Sequence, residues 1–341
     1  MNPVSSKGLQ FLFHTGALDL IHALWPPRVT VLAYHRVTDP HTPGFDSFKA
    51  NVSATPEAFA EQMDYVRKRF SVISLENLLD SLRGRHKLPA NPLLITFDDG
   101  YRDNLENAFP LLQQRHMPAV IFLTTDHIGQ ATPFYWDLIA YCFSHTLKKE
   151  VELPLFGKKQ WDDEQSRIEV MGSWLDILKT QANDKKKWAM QQLPSLLDVA
   201  VPENHFSGNH LNWDQVRTLV ASGIEMGAHT QSHPILSRIP QDQVQQEIFG
   251  SKERIEQETG RPVKAFAYPN GLPADFNPTT QTILKNAGFE AAFTLLPGPT
   301  RWAAVQKHPL AIPRVSIHHK DTLPRFAAKL MGISKLSRGC I

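Results

Sequence analysis

Cysteine is nearly absent from this chain of 341 residues: Cys142 and Cys340 lie far apart and neither has a second thiol nearby. That excludes a disulfide framework and a thiolate zinc site, so any transition-metal centre has to be built from His, Asp and Glu. A concentrated basic run is missing too, and the formal net charge is only +2. Nucleic acid is therefore not an expected partner. Long apolar runs are also missing. In the stretch from Leu9 to Trp25, His14, Asp19 and His22 interrupt the hydrophobic residues, which excludes a spanning helix and reads against a secretory signal. No internal repeat or low-complexity segment occurs, so a solenoid or a disordered tract is not expected.

What is present is the composition of a soluble globular protein, 42% hydrophobic and 21% charged, long enough for one large domain with an insertion. The apolar residues between Leu9 and Trp25 recur at helical spacing and predict an N-terminal amphipathic helix within residues 1–28. It either packs on the domain or rests on a membrane surface. The segment from Phe326 to Arg338, in a C-terminal amphipathic tail over 321–341, invites the same two readings. The expected location is cytoplasmic, with peripheral contact to the inner face of the membrane allowed by these two ends. Nothing in the sequence sets the oligomeric state.

From Val29 onward, short β-branched runs alternate with helical patterns, as parallel β/α architecture requires. Strands are expected at 29–34, 93–97, 119–124, 224–228, 264–268, 289–293 and 312–317. Thr55, Pro56 and Glu57 open a helix, with Thr as N-cap and Pro in the first turn. Phe59, Met63, Val66 and Phe70 share one face of it. Val244, Ile248 and Ile255 mark another helix, which ends near Gly260, and Asn277-Pro278 caps a third that Gly288 stops. The rhythm breaks between Gly129 and Asn212, a stretch rich in Trp, Lys, Asp and Gln that reads as helices and loops without a clear strand. It is expected to be a helical insertion over 129–212 into a barrel formed by 29–128 and 213–320. Its aromatics (Phe134, Tyr135, Trp136, Trp161, Trp174 and Trp188) either stack on sugar rings or core a small subdomain.

Two patterns carry chemistry. Thr96-Phe97-Asp98-Asp99-Gly100-Tyr101 follows an apolar strand, where barrel active sites form. Adjacent carboxylates are costly unless a cation or a shared proton relieves them, although an Asp-Gly turn with a solvated partner is the plainer reading. Gly227-Ala228-His229 and then His233-Pro234 follow another strand. Histidines four apart in a turn or helix reach one ion from one side. Together the two patterns supply a His/His/Asp set suited to zinc or a similar divalent ion, with positions left open for water and substrate.

The combination resembles the polysaccharide deacetylase family, also called NodB-homology or family 4 carbohydrate esterases. The likeness runs from about Tyr34 to Ile317 around the insertion, and includes Tyr34-His35-Arg36-Val37, Tyr268-Pro269-Asn270-Gly271 and Ile312-Pro313-Arg314. It implies an α/β fold, a distorted (β/α)7-type barrel, and hydrolysis of an N-acetyl group from an N-acetylglucosamine-like residue in a polysaccharide or lipid-linked saccharide. It implies Asp98 as general base and Asp99, His229 and His233 as ligands of a divalent ion. Zinc is the first expectation, with cobalt, nickel, manganese or iron as substitutes. It also implies that the ion polarises the amide carbonyl and that the Tyr101 N–H helps to hold the oxyanion.

One departure stands out. Relatives carry an Arg that orients the base two residues before the Pro of the Tyr-Pro-Asn-Gly segment, and Ala267 occupies that position here. Arg314 is the candidate replacement, against an ordinary surface ion pair. His318 is the candidate general acid, with His319 beside it, against solvent-exposed loop histidines. His35 and Tyr268 are expected to line the pocket, His35 against a simple hydrogen-bonding role in the core. The rival readings are a deformylase or O-deacetylase with the same ligands, and a catalytically silent glycan-binding barrel.

Overall fold

The computed structural model describes residues 6–16 and 28–332. Among these, thirteen strands follow one another along the chain. The first half contributes β1 (Arg28–Tyr34), β2 (Arg36–Val37), β3 (Val52–Ala54), β4 (Ser71–Val72), β5 (Pro92–Phe97), β6 (Val120–Leu123), β7 (Glu150–Leu153) and β8 (Gly157–Gln160). The second half contributes β9 (Glu225–Ala228), β10 (Ala265–Ala267), β11 (Ala291–Pro297), β12 (Thr300–Arg301) and β13 (Ile312–Ser316). Seven of them, in the order β1-β13-β11-β10-β9-β6-β5, pair in parallel, and β5 returns to β1 to close a barrel. The short β4 adds beside β5, and β12 runs antiparallel to β1. This is the expected (β/α)7-type barrel.

Alternation along each barrel strand separates two cores, because successive side chains point to opposite faces. Val29, Val31, Leu94, Val120, Phe122, Ala265, Ala267, Ala291 and Phe293 fill one buried cluster. Leu32, Tyr34, Leu93, Ile95, Phe97, Ile121, Leu123 and Phe266 join the other, with the helices. Leu75, Leu78 and Leu79, on the helix Leu75–Leu82, belong to the first cluster. Glu225, the first residue of β9, accepts from the Leu75 and Glu76 N–H groups that open this helix. The helix therefore closes the N-terminal mouth of the barrel and leaves the C-terminal mouth for chemistry.

Close approach is paid for in glycine at Gly227 on β9, where a Cβ would lie 2.3 Å from the Phe122 ring. The predicted helix opened by Thr55 spans Pro56–Arg69, with the Thr55 hydroxyl accepting from Ala58 N–H, and Phe59, Met63 and Val66 are fully buried. Gly260, left-handed at φ 64°, ends the helix Gln241–Thr259.

Two expectations need correction. The segment 129–212 is mostly helical, with helices Tyr135–His145, Glu164–Thr180 and Asn183–Leu197 around a core that includes Phe134, Trp136, Trp161 and Trp174. It also contains an antiparallel hairpin, β7–β8, which was not expected. Only Val151 and Leu153 alternate inward there, too short a run to stand out. At the N-terminus, the described helix is Ser6–His14, followed by a turn at Gly16, φ 73°. It does not run on to Trp25 as one piece, and residues 17–27 lie outside the described residues. Leu9, Leu12 and Phe13 pack on the core, and Phe13 stacks on Tyr65 at 5.9 Å. Of the expected C-terminal tail, the helix Leu323–Leu330 buries Phe326, Ala327, Ala328 and Leu330, while 333–341 lie outside the described residues. Among the described residues no helix is long and apolar enough to cross a membrane.

Candidate active site

Strand register brings the motif residues together. Tyr34 is level with Phe97 across β1 and β5, so His35 and Asp98 emerge side by side; Asp98 N–H donates to Tyr34 O, and His35 Nε2 lies 4.0 Å from Asp98 Oδ2. Leu123 is level with Ala228 across β6 and β9, and His229 N–H donates to Leu123 O. His35, Asp98, Asp99 and His229 are thus the first or second residues beyond the ends of barrel strands, with His233 on the turn that follows His229.

The turns after those ends are strained. Asp99 (φ 76°), Thr230 (φ 68°), His233 (φ 59°) and Asn270 (φ 61°) all sit in the left-handed region. Such residues cost on the order of 1–3 kcal/mol each and persist where the surroundings hold them for a purpose. Gly100 shares φ 76°, and a Cβ there would lie 2.9 Å from Leu123 Cδ2, so a side chain at this turn would be strained and would push the buried Leu123 and Ile128 side chains aside.

Asp99, His229 and His233 offer ligand atoms within 4.8 Å of one another. His229 Nε2 lies 3.1 Å from His233 Nε2, and Asp99 Oδ1 lies 3.6 and 3.5 Å from the two nitrogens. These are the edge lengths expected of ligands about 2.0–2.1 Å from a shared ion. His229 Nδ1 is 2.7 Å from the Ala267 carbonyl, which can only accept. Its proton is therefore on Nδ1 and its Nε2 lone pair faces the cluster, the orientation that a metal ligand takes. Burial, and then the neighbouring His229, hold His233 well below the usual imidazole range, so it too is neutral. Both oxygens of Asp99 are buried without a hydrogen-bond donor among the described residues. Burial first, then the Asp98 and Asp137 charges, push its carboxyl well above the ordinary range. Two neutral imidazole Nε2 atoms beside a buried carboxylate without donors make an arrangement that a divalent cation satisfies, and the residues fit one.

Asp98 is held differently. Arg314, on β13 and fully buried, donates from Nη1 to Oδ1 at 2.8 Å and from Nη2 to Oδ2 at 2.7 Å. The guanidinium is itself held by Thr294 O at 3.1 Å and Thr96 Oγ1 at 3.1 Å. Burial works to raise the Asp98 carboxyl, but the Arg314 charge, with His229 next, outweighs it and takes it to about 2. Arg314 is thus an interior ion pair and not a surface one. Ala267 is fully buried on β10.

A cavity of about 150 Å³ opens over these groups, and His35, Asp98, Asp99, His229, His233 and Tyr268 all line it. Burial first, outweighing the opposing Asp98 charge and joined by the Arg314 and His229 charges, takes His35 to about 4. Tyr268 donates its hydroxyl to Leu310 O at 2.8 Å and stacks on Phe276. The insertion supplies Tyr135, Trp136, Leu175 and Lys179 to the opposite wall. Trp136 packs edge-on to the His233 ring at 4.8 Å and stacks on Phe134 at 4.4 Å. Phe134, Trp161 and Trp174 are core residues, and Trp188 is exposed. A second, shallower cavity on the insertion, by the turn of the β7–β8 hairpin, has Glu152 as its one ionisable lining residue.

Tyr101 enters the site through its backbone. It forms an isolated bridge with His210 whose two bonds, Arg102 N–H to Asn209 O and Leu211 N–H to Gly100 O, flank the Tyr101 N–H without using it. The Tyr101 hydroxyl donates to Asp137 Oδ2 and accepts from Trp136 Nε1, both at 2.8 Å. His318 follows β13 outside the cavity lining. Its Nδ1 accepts from the Lys320 N–H, which puts its proton on Nε2, and burial, then His319, take it to about 4. Asp137 was not singled out from the sequence, and Asn270 entered only as part of the Tyr268-Pro269-Asn270-Gly271 segment. Asp137 ties Tyr101 to the Phe48 N–H, and Asn270 lines the cavity with its amide on Asp275 Oδ2 at 2.6 Å. A carboxylate inside the apolar run 134–143 was the available signal for Asp137.

Comparisons with known proteins bear on the family and the fold. The sequence model of the family described as Polysaccharide deacetylase matches residues 85–292. The chain is 24% identical over 217 residues to the poly-beta-1,6-N-acetyl-D-glucosamine N-deacetylase of Staphylococcus epidermidis, a match covering 58% of this chain and 70% of that protein. Its fold is similar to that of IcaB from Ammonifex degensii, with TM-score 0.57, 21% identity, and 90% and 98% of the two chains covered. The Streptococcus pyogenes deacetylase PplD in complex with acetate gives TM-score 0.59 at 16% identity over 90% and 99%. At these identities the two structures speak for the fold alone.

Proposed function

The chain belongs to the polysaccharide deacetylase family, hydrolases of carbon–nitrogen bonds other than peptide bonds, and from that premise we propose that it removes N-acetyl groups from N-acetylglucosamine-like residues of a polysaccharide in a metal-dependent reaction. The observation that carries the reading is the convergence, at one cavity, of a neutral two-histidine and carboxylate cluster with a second carboxylate gripped by a buried arginine. The S. epidermidis relative, named for poly-beta-1,6-N-acetyl-D-glucosamine, supports that substrate class. A nascent or lipid-linked exopolysaccharide is the form of substrate we favour.

Asp99, His229 and His233 would hold the ion, zinc first, which supplies Lewis acidity toward the amide carbonyl and lowers the pKa of water. Asp98 takes the proton of the attacking water; Arg314 fixes both of its oxygens and keeps it ionised, so it is available as a base before substrate arrives. The Tyr101 N–H, left out of the bridge to His210, donates to the oxygen that gains charge as the carbonyl becomes tetrahedral. His318 is our proposed acid toward the leaving amine, in its imidazolium form; neutral in the free protein, it takes up a proton before it gives one. His35 and Tyr268 bound the space for the acetyl group. Retention of Asp98 together with all three ligands supports an active enzyme over a silent glycan-binding barrel.

The test is acetate release from β-1,6-linked N-acetylglucosamine oligosaccharides by protein stripped of metal and refilled with zinc or cobalt. Release that needs metal and is lost in Asp98→Asn and His229→Ala supports the proposal. Formate release from N-formylated analogues, or acetate from O-acetylated ones, with none from N-acetyl groups would replace it.

A further inference from the structure

Three lysine or arginine side chains are buried among the described residues: Arg36, Lys186 and Arg314. Arg36 is paired with Asp103 at 2.7 Å and Arg314 with Asp98. Lys186 is not paired. Its residue is 7% exposed, yet among the described residues its ammonium meets neither a carboxylate nor a hydrogen-bond acceptor. What it meets is the face of Tyr135, 4.5 Å from the ring centroid, and Tyr135 lines the active-site cavity. Lys186 is close enough to the cluster for its charge to bear on His233.

This placement is unfavourable twice over. An unpaired ammonium on a buried side chain keeps little of its hydration, and one ring face restores the loss only in part. Lys186 also sits in the first turn of the helix Asn183–Leu197, whose positive end repels a cation. Burial, and then Lys187, bring its pKa down to about 8, so it is still charged at neutral pH. A second lysine, Lys179, on the preceding helix Glu164–Thr180, lines the same cavity, tied by one solvent-exposed contact to Asp176 at 3.2 Å. Across the cavity the Asp98 charge is already neutralised by Arg314. Lys179 on the cavity wall and Lys186 behind Tyr135 therefore bring positive charge to this side of the cavity, with the exposed Asp176 contact as the one carboxylate set against it.

We propose that Lys186, with Lys179 beside it, forms a subsite for an anionic group, carboxylate or phosphate, on the saccharide that occupies the cavity. The Tyr135 ring packs against that sugar and holds the ammonium in place. The subsite rests on the reading of the cavity as a saccharide site and adds to it a preference for acidic glycans.

Three tetrasaccharides of equal length decide it, titrated calorimetrically into the metal-loaded full chain: neutral N-acetylglucosamine, N-acetylglucosamine alternating with glucuronic acid, and N-acetylglucosamine carrying a 6-phosphate. The expected result is about tenfold tighter binding of at least one acidic probe than of the neutral one, the worth of one charge-assisted hydrogen bond. The probe that gains identifies the anion. Lys186→Met erases the difference with no loss of Tm, because it removes an unfavourable buried charge, and Lys186→Arg keeps it. Equal binding of all three probes by the unaltered protein, or a preference that survives Lys186→Met, would overturn the subsite. Acetate release from the neutral tetrasaccharide is read in parallel. Release without an acid preference removes the subsite alone, and a Lys186-dependent acid preference without release removes the deacetylation reading alone.

Discussion

Arg314 and Asp98 stand 216 residues apart in sequence and meet in a two-pronged ion pair with no exposure to solvent. The pairing depends on β1 lying between β5 and β13, so that residues at the ends of the two outer strands point toward each other inside the barrel. An arginine on β10, where Ala267 sits, would approach the same carboxylate from another strand. The arginine that grips Asp98 thus comes from β13, while β10 carries Ala267 at the position where the family resemblance led us to expect it.

Replacing Arg314 by Lys keeps a cation but loses the fork. We expect kcat for deacetylation to fall about a hundredfold with KM little changed, the signature of a misplaced base. The same variant has an acid phenotype. The Asp98 carboxyl sits at about 2 in the folded chain against an ordinary 3.8. A depressed carboxyl stabilises the fold fully above the ordinary value, and that contribution is lost as pH falls from about 4 through 2. Weakening the pair raises the folded-state value toward 3.8, so acid unfolding followed by circular dichroism should have its midpoint at higher pH in Arg314→Lys. An unchanged midpoint would mean that Arg314 does not hold the carboxylate in solution.

Asp99 gives a prediction that needs no substrate. Its two oxygens lack donors, and His229 and His233 turn their Nε2 atoms toward it. An ion bound only by the folded chain stabilises it by about 2.7 kcal/mol at a hundredfold excess over Kd. Zinc or cobalt should therefore raise the Tm of stripped protein by several degrees in differential scanning fluorimetry, and the rise should vanish in His233→Ala. Asp99→Asn also relieves the repulsion from Asp98, so without metal it should melt no lower than the unaltered chain. A Tm indifferent to every divalent ion would remove the metal centre.

How legible the site was depended on whether a residue's role is local. Asp98 and Asp99 end an apolar strand, and His229 and His233 share one turn, so strand pattern and spacing together point to them. Arg314 was visible as a charged residue at a strand end, but its inward direction depends on barrel closure. Lys186 left no trace: a lysine in a polar helix reads as solvated, and its burial comes from Tyr135 on another helix. The β7–β8 hairpin was hidden for a related reason. Residues Gly157–Gln160 bury nothing, so the second strand lacks the alternation that marks a half-buried strand.

Cys142 should be chemically silent. It is fully buried in the helix Tyr135–His145, and burial pushes its thiol up to about 12. Thiolate is the reactive form, so at pH 8 the folded chain should leave the Cys142 peptide unmodified by iodoacetamide, as read by mass spectrometry. Labelling should appear only in denaturant. Rapid labelling of the native protein would mean that the insertion core opens readily.

Tyr101 tests how the insertion is coupled to the barrel. Its hydroxyl is the shared member of a chain in which Trp136 Nε1 donates to Tyr101 and Tyr101 donates to Asp137, while Asp137 also accepts the Phe48 N–H. Trp136 in turn leans on His233. Tyr101→Phe removes one oxygen and leaves two buried polar groups short of a partner, which costs about 1–3 kcal/mol each when unrelieved. The Asp137 carboxyl, already raised by its burial, would lose a donor that favours its ionised form and rise further. The proposed backbone donor at position 101 is untouched by the substitution. We therefore expect Tm to drop by several degrees and KM for oligosaccharide to rise, as the Trp136 wall loosens, with kcat within a fewfold of the parent. A large fall in kcat at unchanged KM would show instead that the phenol itself takes part in the chemistry.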